Sequence, residues 1–174
     1  IYSLYLYTRT RQIFQHVALF YSTIFFLGSV GNIIFPNIEP WAGGLFLISI
    51  GLIWGLYTFN EVLGPSWLGY FLSTSTISIG SIILIDNLLS NNDLLQIIFL
   101  ILGSVLFVWA SIQLAEQVIF YIGGLGLVIN LPRLITELLP DNIWPPLILF
   151  LVGGVLVAVG LYLNSIRENI KNND

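Results

Sequence analysis

The sequence predicts an all-α fold, a polytopic transmembrane helix bundle of about six spans built from a repeated helical hairpin. Hydrophobic residues make up 57% of the 174 residues and charged residues only 8%, whereas soluble domains carry roughly 25% charge. The apolar residues form runs of about 20, the length that crosses a hydrocarbon core of ~30 Å. Because backbone groups in lipid must be satisfied within their own segment, such runs form helices. One of these runs also recurs further along the chain.

Breaks in the apolar pattern define the individual spans. Two prolines, a Gly-Pro pair and several polar stretches interrupt the runs, because proline removes a helical donor and glycine favours turns. The predicted spans are 13–35, 41–59, 66–85, 94–114, 118–139 and 147–163. They form a transmembrane bundle over 13–164, preceded by an interfacial lead-in or the end of an unseen upstream segment (1–12) and followed by a polar cytoplasmic tail (165–174). A continuous helix over 94–131 is the alternative for the fourth and fifth spans and gives five spans in total.

The recurring run is found by shifting the sequence by 55 positions, which aligns 45–61 with 100–116. The identical pairs are Leu45/Leu100, Leu47/Leu102, Ser49/Ser104, Trp54/Trp109 and Glu61/Glu116, and Gly69 aligns with Gly124 in the next span. A looser third copy covers 150–162. Repeats of this length indicate a reiterated structural unit. We therefore expect Trp54 and Trp109 each to face the following helix of its own repeat, in matching niches.

Orientation follows from lysine and arginine, because the positive-inside rule depends on these residues. With six spans both termini lie on one side, which then holds Arg9, Arg11, Arg167 and Lys171, against only Arg133 on the other side. The sequence therefore predicts an integral membrane protein of a bacterial inner membrane or an organellar membrane. Both termini are predicted on the cytoplasmic, stromal or matrix side.

Small and hydroxyl-bearing residues within the spans are candidates for a polar lining. In the third and fifth spans these are Ser73, Thr74, Thr76, Ser78, Gly123, Gly124 and Gly126. They can line a gap large enough for a solute. The alternative is packing, since small residues let membrane helices approach closely and hydroxyls bond to neighbouring carbonyls.

Glu61 and Glu116 are candidate rim carboxylates. Both are predicted at the cytoplasmic end of a span, in equivalent places of the repeat. They are either solvated acids at helix ends or a facing pair that holds a cation. No carboxylate is predicted deeper in the membrane, so the sequence indicates no proton relay.

The composition argues against catalysis, metal binding and nucleic-acid binding. The chain has no cysteine, no methionine and one histidine, His16, which excludes a bis-histidine or His/Met haem within this chain. His16 alone can ligate a haem or chlorophyll shared with another subunit. No nucleophile–base motif or metalloprotease motif is present, and a net charge of −4 disfavours nucleic acid. We expect no bound cofactor and no enzymatic activity.

Residues 118–168 contain a glycine-rich short helix, a Pro-Arg outer segment and a glycine-centred last span with a polar tail. The sequence of this pattern is GGLGLVINLPRLITELLPDNIWPPLILFLVGGVLVAVGLYLNSIRE. In this pattern the segment resembles a broad group of bacterial multi-pass membrane proteins of unknown function. Because the group has no assigned activity, the resemblance implies a multi-pass membrane protein and no functional residues.

Two functions fit these patterns. The first is a non-catalytic subunit or scaffold of a larger membrane assembly, in contact with the lipid bilayer and with other integral membrane chains or further copies of itself. The alternative is a small-solute or lipid transporter with a cavity lined by the third and fifth spans.

Overall fold

Five long helices make up the part of the protein that the computed structural model describes, which is residues 13–34 and 39–138 with the helical positions Phe150, Gly153, Gly154 and Val157. The helices are α1 (Ile13–Ile34), α2 (Pro40–Phe59), α3 (Ser66–Leu88), α4 (Asp93–Leu114) and α5 (Gln117–Leu138). All five are long and apolar enough to cross a membrane, and no strand occurs within these ranges. The predicted all-helical fold is therefore confirmed for these residues, with five helices that have the length and composition of membrane spans. The sixth predicted span, the lead-in and the tail lie outside the described residues, apart from those four positions.

The chain divides into two compact units, Ile1–Asn87 and Leu88–Asp174. In the first unit, α2 and α3 form a tightly packed hairpin. A Cβ atom placed on Gly44 would lie 2.7 Å from the carbonyl oxygen of Gly80, and one placed on Gly80 would lie 2.7 Å from that of Gly44. Near the turn, a Cβ atom on Gly69 would overlap the side chain of Thr58. Only glycine permits this backbone approach, which maximises van der Waals contact between membrane helices.

The core of the first unit lies at the end of the hairpin that holds its turn. Its buried residues come from α1, α2, α3 and the 60–65 connector, and they are Leu19, Phe20, Ile50, Trp54, Leu63, Leu68 and Leu72. The connector thus folds back onto the helices, because Leu63 is only 8% exposed. The buried residues of α1, His16, Leu19 and Phe20, all lie in its first eight residues.

The second unit contains the α4–α5 hairpin. Helix α4 ends at Leu114, and Ala115 adopts a left-handed conformation with φ 53°. The backbone N–H of Glu116 then donates to the carbonyl of Ser111 at 3.1 Å, which is the bond that closes a Schellman motif. The alternative of one continuous helix over 94–131 is therefore wrong, because the left-handed residue reverses the chain direction. Helix α5 continues through Pro132.

The two copies of the repeat differ in tertiary structure. Trp54 is 7% exposed and Trp109 is 60% exposed, so the expectation of matching tryptophan niches is wrong. The connectors also differ, since 60–65 separates α2 from α3 but only 115–116 separates α4 from α5. The 55-residue shift therefore places Ser66, the first residue of α3, on Tyr121 inside α5. The shift therefore does not match the starts of the helices that follow the two runs, and the repeated hairpin is not confirmed.

Candidate functional site

Among the described residues of the first unit, the most strongly buried polar side chain is the imidazole of His16, in the first turn of α1. The side chain is fully buried. Its Nε2 atom lies 3.1 Å from Nε1 of Trp54 in α2, and its Nδ1 atom lies 3.2 Å from the carbonyl oxygen of Gly64 in the connector. Phe20, one turn along α1, packs edge to face against Trp54 with ring centroids 4.9 Å apart. We call His16, Trp54 and Gly64 the His16 node.

The hydrogen bonds of the His16 node determine the tautomer of the imidazole. The indole N–H of Trp54 can only donate, so Nε2 of His16 accepts and carries no proton. A neutral imidazole has one N–H group, which is then on Nδ1 and donates to the Gly64 carbonyl. The node therefore ties α1 to α2 and to the connector.

Both ring nitrogens of His16 are bound to protein atoms in this arrangement. A haem or chlorophyll ligand needs one nitrogen lone pair directed at the metal. The lone pair of Nε2 instead accepts from Trp54. The structure thus gives His16 a bridging role between α1, α2 and the connector.

The hydroxyls predicted to line a gap in the third span donate to backbone carbonyls. Ser73 donates to Gly51 of α2 at 2.7 Å, an interhelical bond. Thr74 donates to Tyr70 at 2.6 Å and Thr76 to Leu72 at 2.7 Å. Ser73, Thr74 and Thr76 are buried, and Ser78 is partly buried. Ser73 therefore ties α3 to α2, whereas the hydroxyls of Thr74 and Thr76 are satisfied by carbonyls of α3 itself.

The glycines predicted to line a gap in the fifth span contact α4. A Cβ atom on Gly123 would lie 2.8 Å from the carbonyl oxygen of Ser104 and 2.9 Å from the backbone nitrogen of Val108. A Cβ atom on Gly126 would overlap the Ser104 hydroxyl, and Gly124 is buried beside them. These positions give α4 and α5 close backbone contact.

The two candidate rim carboxylates belong to different units. Glu61 is exposed and has φ 57°, and Val62 closes a Schellman bond to Tyr57 at 3.0 Å. At the end of α4 the left-handed residue is Ala115, and Glu116 follows it, half-buried. Both helices therefore end in a Schellman motif, but Glu61 is the left-handed residue of its motif, whereas Glu116 is the residue after the left-handed one. The two carboxylates thus do not occupy equivalent positions.

Sequence reasoning missed Asn130, a buried amide within α5. Asn130 is 8% exposed, and its Nδ2 donates to the carbonyl of Gly126 at 2.9 Å. It lies well inside the predicted fifth span. An asparagine flanked by Ile129 and Leu131 in an apolar run was the available signal, because buried polar groups in membranes are rare and mark functional positions.

A second missed feature is a cleft of about 340 Å³ between α1 and α2. Its lining residues are Leu27, Gly28, Gly31, Asn32, Glu39, Pro40, Ala42, Gly43 and Phe46. It lies at the end of these helices remote from the His16 node. The glycines were visible in the sequence, but a glycine in an apolar run usually indicates close packing and not open space.

Among the described residues, no group of three or more His, Cys, Asp or Glu side chains could hold a metal ion. Every buried side-chain nitrogen or oxygen in those ranges has a hydrogen-bond partner.

The chain matches no protein-family model, no curated protein and no solved structure. Its resemblance to a group of bacterial multi-pass proteins therefore stays a prediction.

Proposed function

We propose that this protein is a non-catalytic integral membrane subunit, or scaffold, of a larger membrane assembly. The observation that carries the proposal is the hydrogen bonding of the buried hydroxyls of Ser73, Thr74 and Thr76. Each of these buried hydroxyls in α3 donates to a backbone carbonyl at 2.6–2.7 Å. The Ser73 bond ties α3 to α2, and the hydroxyls of Thr74 and Thr76 are satisfied within α3, so these three groups support the helices and do not point a hydroxyl proton into a substrate path.

The outward face of α4 supports an association with other chains. Residues three or four apart lie on one helix face, and a row of large apolar side chains follows that spacing. They are Phe99, Leu102, Leu106 and Trp109, and all are exposed by 49–62%. A Cβ atom placed on Gly103, beside this row, would meet no atom within 4 Å. Such a row, with an open glycine, provides a surface on which a second membrane helix can pack.

Purification of the tagged chain from its native membranes in a mild detergent tests this proposal. We expect other integral membrane chains, or further copies of this one, in a fixed ratio across preparations. A photo-crosslinking amino acid at Leu106 should capture the partner, whereas one at Ile129, an exposed position of α5, serves as the control. A stable and clean monomer that crosslinks at neither position would contradict the proposal.

Asn130 favours a second candidate function, transport of a small solute or lipid. Buried polar groups at membrane depth often mark substrate pathways, and this amide lies in one of the two helices proposed to line a cavity. Reconstitution into vesicles tests this alternative. A flux of a small neutral solute, or of lipid between leaflets, that Asn130→Leu abolishes would favour transport over a purely structural role.

A further inference from the structure

The cleft between α1 and α2 results from the way α1 attaches to the rest of its unit. Its buried residues, His16, Leu19 and Phe20, all lie near its beginning, and the His16 node ties that end to α2 and the connector. Towards its other end α1 has no buried residue. The two helices leave a space of about 340 Å³ there, which is within the size range of small-molecule sites, roughly 300–1,000 Å³.

The deep walls of the cleft are apolar and open. Leu27 and Phe46 contribute large side chains. Gly28, Gly31 and Gly43 have no heavy atom within 4 Å of an added Cβ position, in contrast to the tightly packed glycines of the α2–α3 hairpin. Among the described residues the cleft therefore presents apolar surface and exposed backbone, and none of their side chains fills it.

The mouth of the cleft is polar. Asn32 is the third residue from the end of α1, and Glu39 immediately precedes α2. Gly28 lies four residues before Asn32, about 6 Å deeper along the helix. Trp41 donates its indole N–H to one carboxylate oxygen of Glu39, and tryptophan is typical of the headgroup level. The cleft is thus polar at the membrane surface and apolar below it.

Charge decides which headgroup this mouth accepts. Glu39 supplies a carboxylate, and residues 13–34 and 39–87 contain no lysine or arginine. A carboxylate binds an ammonium through charge-assisted hydrogen bonds, and the amide of Asn32 can donate to a phosphate oxygen. An anionic headgroup would meet the carboxylate with no cation nearby among these residues.

We propose that this cleft is a binding site for a glycerophospholipid whose headgroup carries a primary ammonium. One acyl chain lies between α1 and α2 along Gly28, Gly31 and Gly43. The ammonium binds Glu39 and the phosphate accepts from Asn32. The bound lipid fills the space that the attachment of α1 at its other end leaves open.

Native mass spectrometry of the full chain in a non-ionic detergent tests the site, with phosphatidylethanolamine or phosphatidylglycerol of identical acyl chains added. We expect phosphatidylethanolamine to bind about fivefold more tightly, the ratio expected of one exposed charge contact. Gly31→Leu should fill the cleft and lower binding of both lipids. Glu39→Gln should abolish the difference between them, and it leaves the helices intact because Glu39 is exposed.

Gly154→Leu is the matched control, because Gly154 is also an exposed helical glycine with no atom within 4 Å of an added Cβ but belongs to the other unit. It should leave the binding of both lipids unchanged, and circular dichroism should show equal helix content in all variants. Equal binding of the two lipids to the wild-type chain would overturn the proposal. So would unchanged binding by Gly31→Leu, or an equal loss in Gly31→Leu and Gly154→Leu.

Discussion

The indole N–H of Trp54 donates a hydrogen bond to Nε2 of His16 at 3.1 Å, across 38 residues of sequence. This bond joins two membrane helices at a point where both side chains are buried. The counterpart of Trp54 in the aligned run, Trp109, is largely exposed. The same residue type at aligned positions of two similar runs therefore serves two different purposes.

Trp54→Phe tests how much this hydrogen bond contributes to the free energy of unfolding. The substitution keeps an aromatic ring in the core but removes the donor to His16. We expect the free energy of unfolding to fall by about 1–3 kcal/mol, the cost of losing the partner of a buried polar atom. Denaturant titration in detergent micelles, followed by circular dichroism, measures it. Trp109→Phe is the control and should change stability by less than about 0.5 kcal/mol; equal losses in the two variants would contradict the different environments.

Replacing two different glycines of the α4–α5 hairpin with alanine should have opposite effects on the free energy of unfolding. Gly123→Ala places a methyl group within 2.8–2.9 Å of α4 atoms, two of them backbone, and overpacking of this kind typically costs about 1–3 kcal/mol. Gly103→Ala meets no atom within 4 Å. It should be neutral or stabilising by up to about 1 kcal/mol, because alanine favours helix. Thermal unfolding of the two variants measured side by side tests this prediction. If Gly103→Ala alone lowered stability, the close packing of Gly123 against α4 would be refuted.

Ala115→Gly should stabilise the protein. Ala115 has φ 53°, a conformation that costs an L-residue roughly 1–2 kcal/mol. Glycine has no such penalty but loses more backbone entropy on folding, so we expect a net gain of about 0.5–1 kcal/mol. Ala110→Gly, in the interior of α4, should instead lose up to about 1 kcal/mol. If both variants lost stability in the same denaturant titration, α4 would not end at Leu114 in solution.

Cysteine labelling tests the predicted orientation. The chain contains no cysteine, so single-cysteine variants have no background reaction. Asn91, exposed between α3 and α4, should react as Asn91→Cys with a membrane-impermeant maleimide applied from the outer side. Asn60→Cys, in the connector at the other end of α3, should react only from the cytoplasmic side. The opposite pattern would reverse the orientation inferred from the arginine and lysine residues.

Features that depend on local composition can be predicted from the sequence. The all-helical membrane fold follows from apolar runs, and the Gly-Pro pair at 64–65 lies in a connector as expected. The sequence also predicts the break between α4 and α5, although with a continuous helix as the alternative. The cause of this break, a left-handed Ala115, is not evident from the sequence because alanine normally favours helix.

The candidate site is much less predictable. The hydroxyls of Ser73, Thr74 and Thr76 stand out in the sequence, but only the structure shows that they donate to carbonyls. For His16 the sequence raises ligation of a haem or chlorophyll shared with another subunit only as a minor alternative and indicates no partner, whereas in the structure its nitrogens bind Trp54 and Gly64. Several of these partners, including those of Ser73 and His16, lie on other helices or in the connector, at separations that residue spacing does not encode.

The sequence by itself determined that the described chain forms apolar helices long enough to cross a membrane, and approximately where each of them begins and ends. Span length and hydropathy are properties of one segment, and the requirement to satisfy backbone groups in lipid leaves the helix as the solution. Only the tertiary structure decided that Trp54 is buried and Trp109 exposed, and that Gly123 packs while Gly31 borders open space. Helices that are apolar on every side carry no stripe that identifies their packed face, so the neighbouring helix determines which side chains are buried.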